Sequence, residues 1–350
     1  MNTILSIKNL CVDFETSRRT IRALNGVNLE VQEGQTLGVV GESGCGKSVT
    51  ALATIGLLPP NARVMTGQIL FRGRDLLKID NREMTRLRSS QVSMVFQDPA
   101  SSFDPLFRIE DQVAEPFRYH ALGQDGGERS KFNKRPLHEK IIRLLELVRI
   151  PDPERVAMSY PHQLSGGMKQ RVMIAIALAL DPKIVILDEP TTALDVTVQD
   201  EILSLLAEIK DRLHTTMLLI THDFGIVAEI CDRVAVMYAG KVVETSDTVD
   251  LLTEPRHPYT KGLLKSVPSL SSEIKDLESI QGVVPDLTAL PPGCLFYDRC
   301  PMAMPVCNRI DPPNILVKNT HEVKCHLYGT SKNDLNESVE PPRIIDERNG

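Results

Sequence analysis

The sequence predicts an α/β fold: a mixed sheet core, an antiparallel β edge subdomain and a helical subdomain, followed by a small Cys-containing C-terminal extension. Three observations carry this. Short apolar runs at 36–40, 184–187, 217–221 and 234–238 alternate with helical periodicity near 47–57, 197–213 and 224–231, the pattern of parallel strands joined by crossover helices. The first run leads into Gly41-Glu42-Ser43-Gly44-Cys45-Gly46-Lys47-Ser48, which fits G-x-x-x-x-G-K-[ST] between a strand and a helix and is therefore a P-loop. Beyond about residue 252, proline, cysteine and short segments replace the regular alternation.

In chain order, residues 5–31 alternate apolar and polar side chains and break at Ser17-Arg18-Arg19-Thr20, as paired antiparallel edge strands would. Residues 36–40 form a buried strand, 47–57 the helix after the P-loop, and 92–96 a strand ending at Gln97-Asp98-Pro99. Helical period then dominates to about residue 180, as at 139–148, with a solvated loop around 123–134. Strands return as already described. From 330 to 350 the chain is polar, charged and Pro-containing, the composition of a mobile tail. The expected domains are 1–255, 256–328 and a disordered 329–350.

Composition narrows the class. With 350 residues, 42% hydrophobic and 25% charged, the chain has room for one large domain and an appendage. A formal net charge of −6 lacks the basic excess of a nucleic-acid binder. The apolar run 172–180 is far short of the roughly 18 residues that cross a bilayer. The first eight residues lack the basic start and long apolar stretch of a signal peptide, so a reducing cytosolic setting is expected, in which the seven cysteines are thiols or metal ligands.

The chemistry follows from the motifs. P-loop glycines let backbone N–H groups converge on phosphates, Lys47 reaches the β and γ oxygens, Ser48 goes to Mg²⁺, and Val49 continues the helix start. Asp188 ends an apolar strand, where its carboxylate can hold Mg²⁺ through water, and Glu189 beside it can polarise an attacking water. An Asp-Glu pair after a strand could otherwise be a helix cap. Ser165-Gly166-Gly167 opens a further helix with N–H groups bare for an anion, or is an ordinary capped start.

Leu164-Ser165-Gly166-Gly167-Met168, with 22 residues between Ser165 and Asp188, resembles the signature motif of ATP-binding cassette (ABC) proteins. Met168 stands where the commonest signature has Gln. The resemblance implies an active ATPase using MgATP, sandwiched between the P-loop of one subunit and the signature of another. It also implies Gln97 as the Q-loop residue near Mg²⁺, Ala193-Leu194-Asp195 as the D-loop, His222 as the γ-phosphate switch, and Phe14 as the ring stacked on adenine.

Gln97-Asp98-Pro99, the run 189–199, the run 231–240 and Pro255-Arg256-His257-Pro258-Tyr259-Thr260 look like the ATPase subunits of bacterial oligopeptide and dipeptide importers, a resemblance spanning 4–328. It implies an ATP-hydrolysing subunit that energises peptide uptake from the cytoplasmic face of the inner membrane. Its partners would be a second ATPase subunit, a paralogue, with two permeases and an external binding protein. The alternatives are an importer ATPase for nickel or another small solute, or a soluble ABC ATPase of DNA repair or translation.

Cys294, Cys300, Cys307 and Cys325 are separated by 5, 6 and 17 residues. These loops are wider than the tight pairs of structural zinc sites and suit a four-thiolate [4Fe–4S] cluster, with free buried cysteines the alternative. The importer resemblance implies such a cluster too, and a redox-sensing role for the extension stays open. Cys11, Cys45 and Cys231 are expected as small buried or loop residues.

Overall fold

A computed structural model describes residues 2–124, 134–192, 194–266 and 280–329. The expected edge hairpin consists of β1 (Thr3–Glu15) and β2 (Thr20–Gln32), antiparallel from Thr3↔Gln32 to Glu15↔Thr20. A second, larger sheet is centred on β3 (Thr36–Val40). Sequence reasoning did not delineate β4 (Ala62–Phe71) and β5 (Arg74–Asp75), which complete the first sheet in the order β2-β1-β4-β5.

On one side of β3 the larger sheet adds β6 (Val92–Val95), β7 (Ile184–Asp188) and β8 (Thr216–Thr221), all parallel, with β8 next to β3. On the other side β9 (Arg233–Tyr238) is also parallel to β3. Antiparallel strands follow: β10 (Lys241–Asp247), and then, from the extension, β11 (Asn314–Lys318) and β12 (His321–Lys324), with β12 paired to β10. This mixed sheet of eight strands therefore continues past the expected boundary at residue 255.

The central strands read as continuous apolar runs because both faces are covered. Leu37, Val39, Ile184, Ile186, Leu218 and Ile220 face the edge sheet, packed with α1 (Lys47–Thr54) and α2 (Asn81–Ser90). Their neighbours Val40, Val185, Leu187 and Leu219 face the opposite core. The helical subdomain comprises α3 (Pro99–Ser102), α4 (Ile109–Val113), α5 (Glu115–Gln124), α6 (Lys134–Leu147) and α7 (Pro153–Ala157), of which α4, α6 and α7 contribute to that core. The long α8 (Gly166–Leu178) returns from it to β7, and α9 (Val196–Leu213) and α10 (Phe224–Ile230) are the crossovers to β8 and β9. After β10 come α11 (Thr248–Thr253) and α12 (Pro258–Lys265).

The extension is anchored by aromatics. Phe296 is 2% exposed and meets Tyr238 of β9 edge-on at 5.2 Å and Tyr259 of α12 at 5.4 Å. Burying one such ring contributes about 1.5–3 kcal/mol. Most of the solvated loop expected at 123–134, and all but the first residue of the expected tail, lie outside the described residues.

Candidate nucleotide site

The P-loop lies between the end of β3 and the start of α1, held from beneath by β9. At Gly41 an added Cβ would come within 2.2 Å of the Met237 carbonyl oxygen, and at Gly46, with φ 105°, within 2.6 Å of Leu24. Only glycine fits either place. Gly240 N–H donates to the Cys45 carbonyl at 2.9 Å and Cys45 N–H to the Glu42 carbonyl at 3.3 Å, while Ser43 and Gly44 form the solvent-facing tip. Helix α1 starts on Gly46 without a side-chain cap, which leaves first-turn N–H groups for an anion.

Lys47 is buried, and its ammonium donates to the carbonyls of Gly41 at 2.8 Å and Glu42 at 3.2 Å. Ser48 Oγ donates to Asp188 Oδ1 at 3.0 Å, joining α1 to the end of β7. Burial raises the Asp188 carboxyl above its usual 3.8 against the Ser48 hydrogen bond, and neighbouring Glu189 pushes the same way as burial. A cation here would relieve both effects.

Glu189 has φ 47°, a left-handed conformation that costs a non-glycine residue about 1–2 kcal/mol. The kink is held by its N–H, which donates to the Ile220 carbonyl of β8 at 2.9 Å. Its carboxylate accepts from Gln97 Nε2 at 3.0 Å and from Thr192 Oγ1 at 2.9 Å, and lies 3.4 Å from His222 Nδ1. Gln97 and His222, from beyond the ends of β6 and β8, are thus brought to the one carboxylate at the end of β7. Sequence reasoning missed Thr192, because a threonine in a turn gives no spacing signal.

The signature segment is partly solvent-facing. Ser165 is exposed and caps α8 by accepting the Met168 N–H at 3.3 Å. Gly166 is also exposed, while Leu164 and Met168 pack inward. A Cβ on Gly167 would sit 2.6 Å from Val198 Cγ1, so this glycine lets α8 approach the start of α9. Asp195 caps α9 through the Val198 N–H at 3.0 Å. Ala193 lies outside the described residues. Phe14, half-buried on β1, packs with Val49 against the core between the sheets.

Residues 24–192 match the ABC transporter family, and residues 243–307 match the oligopeptide/dipeptide transporter C-terminal region. The chain is 46% identical over 328 residues to the dipeptide transport ATP-binding protein DppD of Bacillus subtilis, covering 93% of this chain and 95% of that relative. It belongs to the ATP-binding proteins of the oligopeptide/dipeptide ABC transporter family. An oligopeptide transport ATP-binding protein, OppD of Salmonella typhimurium, is 45% identical over 311 residues, 89% of this chain and 90% of the relative. Among solved structures, an ATP-binding cassette dimer with ADP and Pi matches at TM-score 0.61 and 27% identity, over 70% of this chain and 98% of that one. A Clostridium perfringens subunit of an ABC transporter complex matches at TM-score 0.60 and 30% identity, over 73% and 92%.

The chain is therefore an ABC ATPase. The ABC transporter match contains the P-loop, Gln97, the signature and Asp188-Glu189, and ends before Asp195 and His222. The C-terminal match takes in Cys294, Cys300 and Cys307 and ends before Cys325.

In this ABC ATPase the seven cysteines are all unpaired thiols. Cys11 is half-buried, and Cys45 and Cys231 are buried, as expected. Burial pushes the Cys294 and Cys325 thiols up to about 11 and raises Cys300, outweighing the opposing pull of the nearby backbone N–H groups of Phe296, Leu327 and Met302. The four lie within one another's electrostatic reach. The expectation of a metal centre is nevertheless corrected in one respect. Among the described residues no three His, Cys, Asp or Glu side chains are gathered as a metal-ion site. The four candidate donors are all cysteine sulfur, the donor type that thiolate clusters use.

Proposed function

We propose that this ABC ATPase is the ATP-hydrolysing subunit of an importer that energises uptake of di- or oligopeptides, working at the cytoplasmic face of the bacterial membrane. The peptide assignment is supported by the relatives named for dipeptide and oligopeptide transport. Its partners are a second, paralogous ATPase subunit, two permeases that supply the membrane spans, and an external substrate-binding protein. Among the described residues no helix is long and apolar enough to cross a membrane. Residues 1–255 act as the ATPase domain and 256–328 as its extension.

In this reading Gly41, Glu42, Ser43, Gly44, Cys45 and Gly46 wrap the phosphates, and Val49 follows in α1. Phe14 meets the adenine. The Lys47 ammonium exchanges two carbonyl partners for β and γ oxygens. Ser48, Gln97 and Asp188 would hold Mg²⁺, which neutralises charge on the phosphates when bound. Glu189 takes the proton of the attacking water, with Gln97, Thr192 and His222 fixing its carboxylate, and His222 also faces the γ-phosphate. Leu164, Ser165, Gly166, Gly167 and Met168 complete the partner's site, and Asp195 crosses the dimer interface.

A groove of about 470 Å³ between the catalytic core and the helical subdomain, lined by Leu57, Met94, Phe96 and Tyr119, is the proposed seat of a permease helix. Leu57, Phe96 and Tyr119 expose large apolar surface there. Cys294, Cys300, Cys307 and Cys325 would hold a [4Fe–4S] cluster, supported by their shared donor chemistry.

The convergence of Gln97, Thr192 and His222 on Glu189 carries the hydrolytic assignment. Glu189→Gln is expected to keep MgATP binding and slow turnover by about 10²-fold or more, the contribution of a positioned base. Near-normal turnover in that variant would remove Glu189 from the role.

A further inference from the structure

We propose that Arg299, in the C-terminal extension, is a positioning residue for the nucleotide site: together with Tyr259 it grips Glu42 and sets the shape of the P-loop. The inference rests on the P-loop being the ATP site. Glu42 is held twice. Its carboxylate accepts a fork of hydrogen bonds from Arg299, Nη1 to Oε2 at 2.8 Å and Nη2 to Oε1 at 2.9 Å. Its backbone N–H donates to the Tyr259 hydroxyl at 2.9 Å. Tyr259 is fully buried, and the Arg299 side chain is 5% exposed.

Arg299 is itself fixed from several directions. Nε donates to the Gln281 carbonyl at 3.2 Å and Nη2 to the Ile280 carbonyl at 3.3 Å. The guanidinium also lies over the rings of Tyr238 and Phe296, at 5.6 and 5.9 Å. It is carried on the short turn Tyr297–Arg299. Backbone hydrogen bonds from Tyr297 N–H to the Cys294 carbonyl and from Cys300 N–H to the Tyr297 carbonyl tie this turn to two of the cysteines.

Two consequences follow for ATP. The Glu42 carbonyl is an acceptor for the Lys47 ammonium, so moving Glu42 moves the partner of the residue that reaches the phosphates. Arg299 also neutralises a carboxylate inside a loop built to receive a polyanion. Released from its fork, Glu42 would repel the triphosphate and swing the loop. A planar fork is something lysine cannot reproduce.

The test is equilibrium binding of MgATP to the purified full-length chain by isothermal titration calorimetry, with thermal unfolding measured in parallel. Arg299→Ala is expected to weaken MgATP about 5- to 150-fold, the range of a typical coupling between sites. Arg299→Lys and Glu42→Gln, which keep the charge or the shape of one partner, are expected to lose less. The charge-exchanged pair, Arg299→Glu with Glu42→Arg, should recover affinity relative to either single reversal. In the transport-active complex the loss should appear in KM more than in kcat, as for a binding interaction.

If Arg299→Ala does not fold, Arg299→Lys and Glu42→Gln carry the test. Unchanged MgATP affinity across the folded variants, with a lowered melting temperature, would make Arg299 a fastener of the extension only and overturn the proposal. If the unaltered chain binds no MgATP, the nucleotide-site assignment falls and the proposal with it.

Discussion

Acidification from pH 7 to 5 is expected to weaken the protein at His257. The imidazole is 1% exposed, and its Nδ1 accepts the Tyr259 N–H at 3.1 Å, capping α12. Nδ1 is therefore unprotonated in the folded chain. Burial lowers the ring from 6.5 to about 4, although the Glu244 carboxylate nearby favours its charge. Between those values the unfolded chain binds the extra proton, so stability rises with pH: the contribution of neutral His257 is complete above pH 6.5 and drains away toward pH 4. At about 1.4 kcal/mol per pH unit the loss is capped near 3 kcal/mol, with about 2 kcal/mol reached by pH 5. Glu244 acts in a lower window. Burial would raise it, but hydrogen bonds from His321 and the N–H groups of Arg256 and His257 prevail and hold it below 4.5. Its contribution is lost only as pH falls below that value. Urea unfolding followed by circular dichroism at pH 7, 6 and 5 separates the two when the unaltered protein is compared with His257→Asn. The asparagine oxygen can still cap the helix but cannot titrate. The unaltered protein should lose about 2 kcal/mol more than the variant by pH 5. Parallel pH profiles would refute the assignment.

Two further outcomes test the shared site and the cysteines. Ser165→Arg should abolish ATP hydrolysis by the assembled complex while MgATP binding to the isolated chain survives, since losing the cap costs only about 1 kcal/mol. Loss of binding to the isolated chain would place Ser165 at the chain's own nucleotide. Anaerobically purified protein should be brown and hold iron and sulfide in equal amounts, and Cys300→Ser should bleach it. Zinc without iron would replace the cluster with a zinc site, and neither metal would leave four structural thiols.

What was legible in the sequence was what is local in the chain. The P-loop is contiguous, so its glycines, Lys47 and Ser48 announce themselves, and the central strands show as apolar runs because both faces of β3, β7 and β8 are buried. Glu189 could be singled out because it follows such a strand, whereas Gln97 and His222 took their expected roles from the ABC resemblance, Gln97 lying after the half-buried edge strand β6. The edge elements were harder. β4 shows no clean alternation over its exposed first half, and β12 has four residues, too few to establish a period. Its place in the sheet is set by pairing with β10, a contact made 77 residues apart between His321 and Glu244.

The partners of Glu42 were invisible for the same physical reason. Tyr259 and Arg299 lie 217 and 257 residues from it, and neither the His-Pro-Tyr run nor an arginine before a cysteine advertises a P-loop contact. The sequence texture does change after residue 252, which suggested an appendage. Yet Tyr259 and Phe296 close against Tyr238 on the strand directly beside β3. A change of composition marks where regular secondary structure stops, whereas cooperative packing is set by which side chains share a core. Here the aromatic cluster and the Arg299 fork meet at the loop that would hold phosphate, so the extension and that loop share one set of contacts despite their different sequence textures.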